Sequence, residues 1–108
     1  MSTFLAYRVM AGVSAKLGRQ RSRSLLIELA QESGLPAFTL TDATGAWKGT
    51  VEDSLVLEYL APDCVRADAE RKVRALAQRY CAAADQQSVL VSFTFTDVEF
   101  IGRKEPKQ

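Results

Sequence analysis

The sequence has no histidine, two cysteines and three prolines among its 108 residues. Without histidine it lacks the commonest general base and the commonest neutral metal ligand. Cys64 and Cys81 show no metal-ligand spacing. On a shared helix they would stand about 25 Å apart, too far for a disulfide, so both read as reduced thiols. Phosphate-binding glycine loops and the nucleophile-elbow pattern are missing as well. No apolar run approaches the roughly 20 residues of a bilayer-spanning helix. The start, MSTFLAYRVMAGVSAKLG, has no basic leader region, and Arg8 interrupts its apolar stretch. A cytoplasmic protein with no metal, no cofactor and no membrane attachment is the expectation. Charge of one sign is also lacking: 14 basic against 13 acidic residues give a net +1, too little for a global field that attracts nucleic acid.

What is present is an ordinary globular composition, 47% apolar and 25% charged. The length suits one domain that buries about 65% of its unfolded surface. Residues 1–102 are expected to form it, with 103–108 as a polar tail.

Patterning divides the chain into six elements. Alternation predicts strands over Phe4–Ala11, Ala37–Thr41, Ser54–Leu60 and Ser88–Phe95. A narrow stripe of Leu25, Leu26, Leu29 and Ala30 predicts a helix over Arg21–Ser33, with Gly34 beyond its end and Pro36 barring extension. Val73, Leu76, Ala77, Tyr80 and Ala84 recur at helical spacing and predict a second helix over Asp63–Ala84. Glu70 and Arg74 are spaced on its outer face to pair. TDATGAWKGTVEDS reads as a long, projecting hairpin connection, and the shift of apolar phase to Val98 and Phe100 suggests a bulge near Thr96-Asp97.

The resulting β-α-β-β-α-β order is the signature of the α+β ferredoxin-like split βαβ fold, an antiparallel four-stranded sheet with two helices on one face. Leu5, Tyr7, Val9, Phe38, Leu40, Leu55, Leu57, Tyr59, Val89, Val91, Phe93 and Phe95 then supply the sheet side of the core. The opposite face collects Phe4, Met10, Val56, Leu60 and Leu90 beside Arg8 and Glu58. That is more apolar surface than scatter gives, and it marks a candidate partner-binding face. Trp47, between flanking glycines, is either a lid on the core edge or an anchor of the same interface.

Lys16, Arg19, Arg21 and Arg23 gather where the first helix begins, a candidate site for a phosphate or a nucleic-acid backbone. The acidic pairs Glu52-Asp53 and Asp97/Glu99 read as structural or solvated groups.

The stretch AFTLTDATGAWKGTVEDSLVLEYLAP, followed by ADAERKVRALAQRY and QQSVLVSF, resembles a bacterial family of small proteins known only as a domain of unknown function. Asp42, Gly45, Trp47, Tyr80, Gln87, Ser88, Val89 and Leu90 carry the likeness. The resemblance implies architecture and no chemistry.

The function expected on these grounds is a non-enzymatic interaction or regulatory module, of the size of a mobile-element regulator or inhibitor. It would bind itself as a homodimer, or another protein, through the open sheet face and the Trp47 hairpin. A small dimeric enzyme of the cofactor-independent monooxygenase type is the alternative, its apolar cavity shaped by Tyr7, Phe38, Trp47 and Tyr59. Nucleic-acid or phosphate binding through the basic link is a third.

Overall fold

The computed structural model describes residues 2–104, and the side chain of Trp47 lies outside the description. The elements follow the order β1 (Ser2–Gly12), α1 (Gly18–Glu32), β2 (Thr39–Trp47), β3 (Thr50–Pro62), a single 3-10 turn (Asp63–Val65), α2 (Arg66–Ala83) and β4 (Leu90–Val98). The four strands form one antiparallel sheet in the order β2-β3-β1-β4. The architecture is α+β.

Alternation fixes which face of the sheet is buried. Leu5, Tyr7, Val9 and Ala11 of β1 sit beside Leu55, Leu57, Tyr59 and Ala61 of β3, all buried against Leu26 and Ala30 of α1 and Ala69, Val73, Leu76 and Tyr80 of α2. Each side chain removed from water here contributes roughly 1.5–3 kcal/mol for the larger aliphatic groups. The two central strands are therefore the most deeply covered.

Both helices end by the same device. Gly34 adopts φ +89°, and the N–H groups of Gly34 and Leu35 donate to the carbonyls of Gln31 and Ala30. That is a Schellman motif with glycine where the left-handed residue is needed. At the end of α2 Asp85 takes the same place with φ +54°, and the Gln86 N–H donates to the Cys81 carbonyl at 3.0 Å. Asp85 is thus held in a conformation that disfavours a side chain.

Several sequence expectations are corrected. The supposed long connection is a two-residue turn, Lys48-Gly49, with φ +49° and +81°. Those angles match the type I′ turn, whose twist suits antiparallel strands. The remaining residues of TDATGAWKGTVEDS extend β2 and β3, in register from Thr39 opposite Glu58 to Trp47 opposite Thr50. The expected bulge at Thr96-Asp97 is absent, since β4 stays in register with β1 from Leu90 opposite Met10 to Val98 opposite Ser2. Phe93 and Phe95 lie on the helix side but remain 49% and 57% exposed, because β4 is an edge strand that the helices do not cover. The expected Glu70–Arg74 pair forms at 4.0 Å, and Glu70 also bonds Arg66 at 3.0 Å.

Cys64 and Cys81 are free thiols. Among the described residues no helix is long and apolar enough to cross a membrane.

Candidate functional site

A cleft of about 630 Å³ opens at one end of the sheet. Its floor is Gly12, the last residue of β1, and one wall is the link Val13–Lys16 leading into Gly18 and Arg19 of α1. Glu52 and Asp53 of β3 form a second wall, and Ala84, Asp85 and Gln86 after α2 form a third.

The cleft is held open by hydrogen bonds that its own backbone makes. The Val13 N–H donates to the Asp53 carbonyl, which ties the link to β3. Ser14 is buried; its N–H donates to Ser22 Oγ at 3.0 Å, and its carbonyl accepts from Gly18 at 2.8 Å. The Ser14 hydroxyl accepts from Leu17 N–H at 3.3 Å. These bonds satisfy link amides that would otherwise face the interior. On the far wall the Tyr80 hydroxyl donates to the Gly12 carbonyl at 2.7 Å. Gly12 itself leaves room for Gln86: a Cβ there would fall 2.6 Å from Gln86 Oε1.

The electrostatics are mixed. Lys16 and Arg19 line the cleft together with Glu52, Asp53 and Asp85. Arg19 Nη2 pairs with Asp53 Oδ1 at 2.8 Å, and Arg19 Nη1 approaches Asp42 Oδ1 at 3.3 Å without making a hydrogen bond. Arg23 bonds the same Asp42 oxygen at 2.8 Å. That bond, reinforced by the charges of Arg23 and Arg19, holds the Asp42 carboxyl below the ordinary carboxylate range.

The basic link is therefore divided by the structure. Arg19 and Arg23 spend their charge on Asp42 and Asp53, Lys16 lines the cleft, and Arg21 is exposed on α1. Glu52 and Asp53 are not legible as cleft residues in the sequence, because the turn residues around them mask the strand they belong to. Asp85 and Gln86 are not legible either, because nothing in their spacing links the end of α2 to the end of β1.

The second candidate surface is the open sheet face. Register places Phe4, Arg8 and Met10 of β1, Val56, Glu58 and Leu60 of β3, and Leu90 of β4 on it together. Arg8 Nε donates to Glu58 Oε2 at 3.0 Å in its middle. Met10, Leu60 and Leu90 are exposed, while Phe4 is half-buried against Phe100 with ring centroids 5.9 Å apart. The placement of the Trp47 side chain, lid or anchor, falls outside the described residues.

Tyr7 and Tyr59, expected to line a cavity, stack within the core at 6.1 Å. The Tyr7 hydroxyl is buried beside a hollow of about 140 Å³ lined by Glu70, Val73, Arg74, Val91 and Phe93. Among the described residues no group of three or more His, Cys, Asp or Glu side chains is placed to hold a metal ion.

No protein-family model and no curated protein matches the chain. Solved structures do. A phage SAM lyase in complex with S-methyl-5′-thioadenosine is 18% identical, with a TM-score of 0.66 over 87% of this chain and 82% of that one. CPII, a nitrogen regulatory PII-like protein from Thiomonas intermedia bound to ADP, AMP and bicarbonate, is 12% identical with a TM-score of 0.59, covering 95% of this chain and 97% of its own. A DUF3240 family protein from Shewanella baltica is 15% identical with a TM-score of 0.57, covering 97% and 100%. At these identities the likeness is one of fold.

Proposed function

We propose that the chain is a small-ligand-binding domain whose cleft takes a nucleoside-type molecule carrying charged substituents. The observation that carries this reading is the cleft itself: three segments remote in sequence converge on about 630 Å³ lined by groups of both charge signs. A volume of that order holds a nucleoside with its substituents. Lys16 offers a cation, Glu52 and Asp85 offer carboxylates, and Gln86 offers an amide that both donates and accepts. Mixed signs suit a zwitterionic or sulfonium-bearing ligand better than a plain polyanion, whose phosphates three carboxylates would repel.

Two fold neighbours support the class. One holds S-methyl-5′-thioadenosine and the other holds ADP and AMP, so this fold accommodates adenosine ligands. The ferredoxin-like split βαβ assignment, and kinship with a family of unknown function, belong to the same reading.

Calorimetric titration with S-methyl-5′-thioadenosine, S-adenosylmethionine, AMP and ADP tests it. Saturable binding of at least one of them, weakened about tenfold or more by Glu52→Gln or Lys16→Ala, is the expected result. Absence of binding across the panel overturns the reading. Chromatography of S-adenosylmethionine after incubation shows in the same samples if a bound ligand is also consumed.

A second reading rests on the register of the open sheet face. Five apolar side chains around the Arg8–Glu58 pair form a surface of the kind that protein partners cover. On this reading the face takes another protein.

A further inference from the structure

We infer that the outer edge of β4 pairs with the same edge of a second copy of this chain, joining two four-stranded sheets into one antiparallel sheet of eight. Among the described strands β4 is bonded on one side only, to β1. Its outer backbone donors and acceptors form a row nine residues long, about 27 Å at the rise of an extended strand. Edges of that length normally carry proline, lysine, a bulge or an inward charge that prevents pairing. LVSFTFTDV has no proline and no lysine, and its register with β1 is unbroken. Its one charge, Asp97, is on the helix side but next to the strand's last residue, so the seven residues before it carry no such block. The opposite edge, β2, is protected differently: Asp42 points to the helix side and is engaged by Arg19 and Arg23.

The strand's own symmetry points to a second copy as the occupant. A two-fold axis through Thr94 sets Phe93 of each copy opposite Phe95 of the other. It also sets Ser92 opposite Thr96, Leu90 opposite Val98, Thr94 opposite itself, and Val91 opposite Asp97, the one unlike pair. Outside the Val91–Asp97 pair, aromatic, hydroxyl and aliphatic side chains thus meet their own kind, the cross-strand pairs that stabilise sheets. A foreign strand has no reason to match a pattern that reads nearly alike in both directions. The surface exposed on the helix side fits the same pairing. Phe93 and Phe95 lie uncovered beneath the Arg66 guanidinium, which stands 5.9 and 5.4 Å from their ring centres. Pairing would bring four such rings into one ladder, with the helices of both copies on the same side.

This inference is independent of the ligand reading, and its test does not involve the cleft. Sedimentation analysis of the full chain should show a dimer. Thr94→Lys and Thr94→Glu each place like charges opposite one another at the axis and should weaken the dimer about tenfold or more. Mixing the two variants should restore it as a heterodimer. Val56→Lys, on the open face and away from the edge, should leave it intact. Circular dichroism checks that each variant is folded. A monomeric wild-type chain, a dimer indifferent to both Thr94 variants, or a dimer lost equally with Val56→Lys would each overturn the assignment.

Discussion

The hydroxyl of Tyr80, near the end of α2, donates a 2.7 Å hydrogen bond to the carbonyl of Gly12 at the end of β1, across 68 residues of sequence. This one bond clamps the wall of the cleft that carries Asp85 and Gln86 to its floor. Tyr80→Phe keeps the ring and strands the carbonyl, so stability should fall by about 1–2 kcal/mol. Affinity for any cleft ligand should fall with it. Chemical denaturation and calorimetry on the same protein check both effects.

Asp85 gives a prediction in which stability and binding move in opposite directions. Its φ of +54° costs energy that glycine would not incur. Asp85→Gly should raise stability by about 0.5–1 kcal/mol. It should also weaken ligand binding, because a carboxylate leaves the cleft wall. A gain in melting temperature with unchanged affinity would remove Asp85 from the site.

The hairpin depends on Gly49 in the same physical sense. At φ +81° nothing lies within 4 Å of where a Cβ would sit, so the cost of a side chain there is conformational and not steric. Gly49→Ala should therefore destabilise by about 1 kcal/mol. Melts by circular dichroism measure it.

Dependence on pH follows from groups shifted in opposite directions. Burial pushes the phenols of Tyr80 and Tyr7 above their ordinary 10.0, aided at Tyr7 by the charge of Glu70. A raised value means that the fold favours the protonated form. That contribution is complete below about pH 10 and is lost as pH rises through the folded values. At the acid end, Asp42 is held below its ordinary 3.8 by Arg23 and Arg19, and Asp68 by Lys72 and Arg71. Their contribution is present above the unfolded value and disappears as pH falls through the folded one. Denaturation midpoints should be flat near neutrality and decline at both extremes. Asp42→Asn should reduce the acid decline, and Tyr80→Phe the alkaline one.

Val56→Lys tests the open face. The residue is half-buried on a sheet surface that no helix covers, and lysine can extend its charge to water. Stability should change by less than about 1 kcal/mol, while capture of a protein partner on that face should be lost.

Local patterning by itself determined the number, type and order of the elements and the two faces of the sheet. Period-two alternation puts Leu5, Tyr7 and Val9 on one side and Phe4, Arg8 and Met10 on the other, whatever the strands pair with. Gly34 announced the end of α1 because a left-handed residue is needed there. The same local logic failed where two signals conflicted. Asp42, Gly45 and Gly49 suggested a loop, yet long strands pairing through a two-residue turn satisfied more backbone groups than a loop could. Only tertiary structure decided that the helices leave much of β4 uncovered, and hence that Phe93 and Phe95 stay exposed despite their inward phase. Tertiary structure also created the cleft, because Lys16, Glu52 and Gln86 are brought together by strand order and helix packing. No spacing along the chain encodes that meeting, since each of the three segments is shaped by its own local bonds and becomes a wall only when the sheet closes around Gly12.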